Sequence, residues 1–307
     1  MKRILLISAI ALLAVAFVSC KKDGVYNPKH KVAKVYNEWT RTTVTTDASG
    51  STTRIDSLNP YVAQEWAWGK KSLSSIMYKD SDGRVSETVN YTYDDKNRIV
   101  GSTGADNRKA EYVYNDDKKL QTVKISQGDH SEAVMEITYD GKVPTTITTV
   151  YTYTIGKKVS DFARTIIPSY ICEAIEANDI SAKTTTISYT YTSALEWDGK
   201  NISQVVTTSD DNYKHTITYE YDGKTNPFAG MYCSEDYEVF YSKNNIVKRT
   251  ESYVEGNKTI TEVDEYAYEY DGKMPVKVIT TDVRENEILG TTYKTTTVNT
   301  TTYEYTK

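Results

Sequence analysis

The chain has few of the residues that carry most metal and nucleophile chemistry, with 3 cysteines and 3 histidines among 307 residues. His30, His130 and His215 have no second ligand at metal spacing and no nucleophile beside them, which argues against a zinc hydrolase or a catalytic triad. There is no Cys-x-x-Cys, so neither a structural zinc nor a redox pair is expected. Proline is scarce at 6 and like charges are not blocked together, which excludes a low-complexity tail as the body of the chain. With 42 acidic against 37 basic residues and a net charge of -5, there is no clustered basic face, and a nucleic-acid partner is excluded. No cofactor, metal or catalytic residue is read from the sequence, and the expectation is a protein that is not an enzyme.

One long hydrophobic run is present, from Ile4 to Val18, preceded by Lys2-Arg3 and ended by Ser19-Cys20. At about 15 residues it is shorter than a spanning helix needs, and it reads as a secretory signal peptide over residues 1–19. Phe17-Val18-Ser19-Cys20 resembles a bacterial lipobox, with Phe17 in place of the usual aliphatic residue. That resemblance implies cleavage before Cys20, acylation of Cys20, a tether over 20–30 and anchoring to a membrane, because several acyl chains hold stably where one is marginal. Cys172 and Cys233 remain, either as a bridge or as two buried thiols.

Tyrosine is abundant at 27 residues while phenylalanine is only 4, and threonine is frequent throughout, a composition suited to half-wet pleated sheet. An aromatic-x-aromatic pair, then Asp, Asn or Gly, then a cation, recurs roughly every 20 to 27 residues, the mark of an internal repeat. Copies include Trp66-Ala67-Trp68-Gly69, Tyr91-Thr92-Tyr93-Asp94, Tyr112-Val113-Tyr114-Asn115 and Ile137-Thr138-Tyr139-Asp140-Gly141-Lys142. Leu195-Glu196-Trp197-Asp198-Gly199-Lys200, Tyr219-Glu220-Tyr221-Asp222-Gly223-Lys224 and Tyr268-Glu269-Tyr270-Asp271-Gly272-Lys273 continue the series. Alternation sets Ile217, Tyr219 and Tyr221 against Thr216, Thr218 and Glu220, so each unit is expected to be a β-hairpin. Asp accepts backbone N–H groups at the turn, and Gly or Asn supplies its left-handed residue.

Tyr91-x-Tyr93-Asp94-x-x-Asn97-Arg98-Ile99 resembles the YD (Rhs-type) repeat Y-x-Y-D-x-x-G-R-L, and Tyr78-x-Asp80-x-x-Gly83-Arg84-Val85 matches its second half. With the lipobox and Tyr221-Asp222-Gly223-Lys224-Thr225-Asn226-Pro227-Phe228, the chain resembles uncharacterised Bacteroidetes lipoproteins that carry a porin-like domain of unknown function over most of 31–307. The resemblance implies an outer-membrane lipoprotein, on the cell surface or the periplasmic face, and brings no catalytic residue. Large Rhs proteins enclose a toxin; the repeats here are too few and no toxin domain follows, so that role is not implied.

Residues 31–307 are expected to form a single all-β domain, a long antiparallel meander of roughly 14 to 18 strands that is too many for one open twisted sheet. A barrel of that size has a lumen its own side chains cannot fill, so it must be wet, flattened or plugged. The stretch from 160 to 177, with a Ser160-Asp161 start, a break at Pro168 and Ile171, Ala174 and Ile175 at helical spacing, is the single expected helical insertion. Whether it caps, plugs or lies outside is open at this level. Tyr along whole strands opposite Thr, Lys and Glu argues for a soluble barrel-like domain or a strongly curled sheet rather than a lipid-spanning one.

Three local features invite functional readings. Trp66 and Trp68 share a strand face and suit either a saccharide-stacking platform or core packing. Asp56-Ser57-Leu58 resembles the O-glycosylation acceptor of Bacteroidetes, which marks Ser57. Asp80-Ser81-Asp82-Gly83 lacks the later acidic ligand of a calcium loop and reads as a polar turn. Carboxylates such as Glu265 and Glu269 are expected on solvated sheet surface. The leading expectation is a lipid-anchored envelope protein that binds a glycan or another envelope protein. The alternatives are a carrier with an apolar or amphipathic ligand in its lumen, and a glycan or ester hydrolase.

Overall fold

The computed structural model describes residues 24–128, 130–154, 159–177, 186–210, 213–231, 237–255, 258–288 and 291–306. Sixteen antiparallel strands follow one another around a closed barrel. They are β1 (Val32–Asp47), β2 (Gly50–Trp68), β3 (Leu73–Lys79), β4 (Val85–Tyr93), β5 (Ile99–Thr103), β6 (Arg108–Tyr114), β7 (Leu120–Gln127) and β8 (His130–Asp140). The second half comprises β9 (Val143–Thr154), β10 (Thr186–Asp198), β11 (Asn201–Ser209), β12 (Lys214–Tyr221), β13 (Ile246–Glu255), β14 (Lys258–Asp271), β15 (Met274–Ile288) and β16 (Thr291–Tyr305). Closure is made by β1 and β16, paired from Val32↔Tyr305 to Thr46↔Thr292, so the sheet has no open edge.

Side chains alternate across the wall as the sequence requires. Val89 and Tyr91, Ala110 and Tyr112, and Ile217 and Tyr219 are buried inside. Thr88, Asn90 and Thr92, Lys109 and Glu111, and Lys214, Thr218 and Glu220 face out. An apolar interior behind a polar outer wall reverses the arrangement of a lipid-spanning barrel, whose outer band must be apolar all the way round. Exposed apolar side chains do occur, among them Ile55, Val113, Val150, Val263 and Val283, but they are scattered around the wall and alternate with polar residues instead of forming a band.

The repeat explains itself in hydrogen bonds. The second aromatic of a unit donates to the carbonyl at the start of the preceding strand: Tyr93 to Leu73 (2.7 Å), Tyr114 to Ile99 (2.7 Å), Tyr139 to Leu120 (2.7 Å) and Tyr221 to Ile202 (2.7 Å). Trp68 donates in the same way to Val32, Trp197 to Pro144 and Tyr305 to Pro275. The aromatic pair therefore fills the core with one ring and latches the hairpin base with the other, which is why Tyr or Trp, and not Phe, stands second. At the turns the Asp94 carboxylate accepts the N–H groups of Lys96 (2.9 Å) and Arg98 (2.8 Å), with Asn97 left-handed at φ 59°. Asp80 accepts those of Asp82 and Arg84 in the same manner.

One copy of the repeat departs from its expected hairpin. Asp222-Gly223-Lys224 does not turn the chain directly into the next strand; it opens a connection to β13 that holds a short helix, α3 (Tyr237–Tyr241). The expected single helical insertion is thus joined by a second, and Tyr270 donates to the Asp222 carboxylate instead of to a strand carbonyl. The first insertion is α1 (Asp161–Arg164) and α2 (Ser169–Ala177), with the Ser160 hydroxyl capping α1 by accepting from the Ala163 N–H at 3.1 Å. It plugs the lumen: Phe162, Ile167, Ile171, Cys172 and Ile175 are fully buried among wall residues.

The connections alternate between two ends. The Asp-Gly turns of the aromatic repeat (Asp140-Gly141, Asp198-Gly199 and Asp271-Gly272), the α3 connection and the segment Gly24–Lys31 share one end, while the plug enters from the other, where the Asp80 turn also lies. There the long β1, β2, β15 and β16 run past their shorter neighbours.

Candidate functional site

The plug fills the half of the lumen beside β4 to β12, and a cavity of about 960 Å³ remains beside β13 to β16 and β1. Its wall carries the same alternation as the packed half, but Tyr266 and Tyr268 are only half-buried because they face this space rather than the plug.

Its lining includes a charged cluster that local patterning did not single out. His215 is 2% exposed and its Nε2–H donates to Glu251 on the neighbouring strand. Arg249 pairs with Glu251 and reaches Asp264 Oδ2 at 3.3 Å. Glu262 lies directly across the β13–β14 ladder from Glu251, and Tyr253 donates to it at 3.4 Å. Tyr170 from α2, Tyr213 and Tyr253 surround the His215 ring at centroid distances of 4.9, 5.9 and 6.0 Å. His215 Nδ1 is buried with no hydrogen-bond partner among the described residues. Burial pushes the Tyr213 phenol up, helped by the Glu251 charge, and does the same to Tyr268, so both stay neutral donors. Burial raises the Glu251 carboxyl, but the hydrogen bond from His215 and the Arg249 charge outweigh it and hold the group below its ordinary value.

The cluster was legible in one respect. His215 is in phase with Ile217 and Tyr219, and Glu262 and Asp264 are in phase with Tyr266 and Tyr268, so the period of 2 already turns them inward. That His215 meets Glu251, and that a cavity remains before them among the described residues, depends on the register of three strands and on how the plug is placed.

The residues marked in the sequence lie elsewhere, apart from Trp66. Trp66, 8% exposed, stacks on Trp68 at 6.2 Å and meets Phe228 at 5.9 Å, and it borders the cavity from the Asp-Gly-turn end. Both indoles are committed to packing, Trp68 against Tyr26 and Trp66 through its Nε1–H to Gln64. Ser57 is exposed on the part of β2 that pairs only with β1. Cys20 and Cys233 lie outside the described residues, while Cys172 is buried in the plug with its thiol toward the Ile167 carbonyl at 3.7 Å. Glu265 and Glu269 are exposed on the outer wall.

Neither a protein-family model nor a curated protein matches the sequence. Solved structures that resemble it include a porin-like protein from Bacteroides vulgatus, at 10% identity and TM-score 0.43, covering 91% of this chain and 99% of that one. A porin-like protein from Bacteroides uniformis follows at 10% identity and TM-score 0.37, covering 93% and 100%. At that level of similarity neither structure speaks to function here, and the closed barrel rests on this chain's own strand pairing.

Proposed function

We propose that the chain is a non-enzymatic binding protein of the cell envelope, anchored through acylated Cys20, whose barrel lumen holds a small amphipathic molecule. The observation that carries this reading is the cavity of about 960 Å³, bordered by tyrosines and a buried polar cluster inside a closed wall. Its size and its mixture of aromatic surface with a few convergent polar groups are those of a small-molecule pocket. The polar outer wall supports a barrel standing in water beside the membrane, with the lipid as anchor and not the strands. Trp66 belongs to this reading as part of the cavity rim, so a glycan platform on the outer face is the weaker alternative. Ser57, exposed beyond the barrel body, remains the proposed glycosylation position.

Native mass spectrometry of the full-length protein, extracted from its own envelope in mild detergent, tests both halves. An acyl mass on Cys20 and a non-covalent adduct lost on denaturation are expected. An unmodified Cys20 overturns the anchor, and a protein that carries no adduct and binds nothing in a small-molecule thermal-shift panel overturns the carrier.

A further inference from the structure

Within that reading, we infer that the cavity is built for an organic cation: an ammonium-headed molecule whose apolar or aromatic body lies against the tyrosines. Charge is the first ground. Glu251, Glu262 and Asp264 stand together on the cavity wall, with Arg249 as the one permanent cation among the described lining residues. A single guanidinium is shared between Glu251 and Asp264.

The second ground is register. Glu251 and Glu262 are cross-strand neighbours facing the lumen, a pairing of like charges that costs stability directly. Arg249 compensates Glu251, but Glu262 has only the Tyr253 hydroxyl and no cation among the described residues, and an uncompensated carboxylate in a partly dry lumen is costly.

The third is the orphaned nitrogen. Nε2 of His215 is hydrogen-bonded to Glu251, while its Nδ1 is buried with no hydrogen-bond partner among the described residues. An ammonium head suits this ring and the carboxylates beside it, whereas an anionic head would face those carboxylates with Arg249 as the one permanent cation among the described lining residues to meet it. The rings of Tyr170, Tyr213 and Tyr253 around His215 offer faces to the cation or to the carbon beside it.

The test uses three probes of equal chain length and different heads: hexylammonium, hexyl glucoside and hexanoate. Each is titrated calorimetrically into the full-length protein after any native ligand has been removed. Hexylammonium is expected to bind saturably and at least about tenfold more tightly than the other two, a difference of roughly 1.4 kcal/mol. Glu262→Gln and Asp264→Asn are each expected to lose several-fold in affinity for hexylammonium. Glu262→Gln should also raise the unfolding midpoint of the empty protein, because it removes one of the two facing charges; a merely structural glutamate would lower it. Preferential binding of hexyl glucoside or hexanoate leaves the lumen as a ligand site and overturns the cation. Absence of saturable binding by all three probes overturns the lumenal carrier itself.

Discussion

The lumen-facing carboxylate of Glu251 shows how single residues respond to the fold. Its negative charge is stabilised by the hydrogen bond from His215 and by Arg249, with Asp264 and Glu262 on β14, Tyr213, Tyr253 and, from the plug, Tyr170 and Glu173 around the same space. A carboxyl held below its unfolded value contributes stability that is complete above that value, near 4.5, and is lost as the pH falls through the folded one. Chemical denaturation at pH 6 and at pH 3.5 should therefore show a larger acid-induced loss in the parent protein than in Glu251→Gln. Equal losses in the two proteins would remove the linkage. The residue types of this cluster are plain in the sequence, but its partnership is not, because His215 and Glu251 meet only once β12 and β13 are in register.

Among the elements, the plug is the one whose docking rests on small features of the wall. Gly104, in the connection from β5 to β6, lies so close to Phe162 of α1 that a β-carbon there would stand 2.4 Å from the ring. Nearby, the buried Glu87 carboxylate accepts the Ala105 N–H at 2.9 Å and fixes the same connection. Arg164 and Glu176 join at 2.6 Å and tie α1 to α2. Gly104→Ala is expected to destabilise the protein by about 1–3 kcal/mol through overpacking. In a Phe162→Ala background the same change should cost close to nothing, since the two sites share one contact. Urea unfolding of the four proteins of that cycle decides it, and additive costs would show that the plug does not sit on Gly104. The plug's helices were readable from Ser160, Pro168 and the spacing of Ile171 and Ile175. α3 was not, because its five residues are too few to show a period and its aromatic content matches the strands around it.

For the molecule as a whole, the start of the described chain sets an orientation. The Gly24 carbonyl accepts the Ile99 N–H at 2.9 Å, and Tyr26 is buried, donating to Pro227 at 2.8 Å. Gly24 itself is left-handed at φ 76°, and any β-carbon there would run into Tyr114. Only Lys21-Lys22-Asp23 separate it from Cys20, a reach of roughly 14 Å even when fully extended. A barrel acylated at Cys20 must then hold its Asp-Gly-turn end against the lipid and its long-strand end away. Fluorophores placed at position 142 and at position 49 of the lipidated protein in vesicles should differ accordingly, with headgroup quenchers dimming the first and sparing the second. Stronger quenching at 49 would reject this orientation.

The sequence by itself determined the strands, the Asp-based turns and the inward face. These follow from a period of 2 and from turn chemistry, both of which act between residues near one another in the chain. It also marked the plug as helical, since caps and helical spacing are equally local. Closure of β1 on β16, the passage of 160–177 into the lumen and the side of the barrel it leaves empty were decided only by tertiary structure. Those outcomes depend on how sixteen strands share one circumference and on what volume the insertions can fill, quantities that no local pattern contains. The charged cluster lies between the two cases: its residues face inward by periodicity, and they border both a cavity and the plug because of where the described insertions sit.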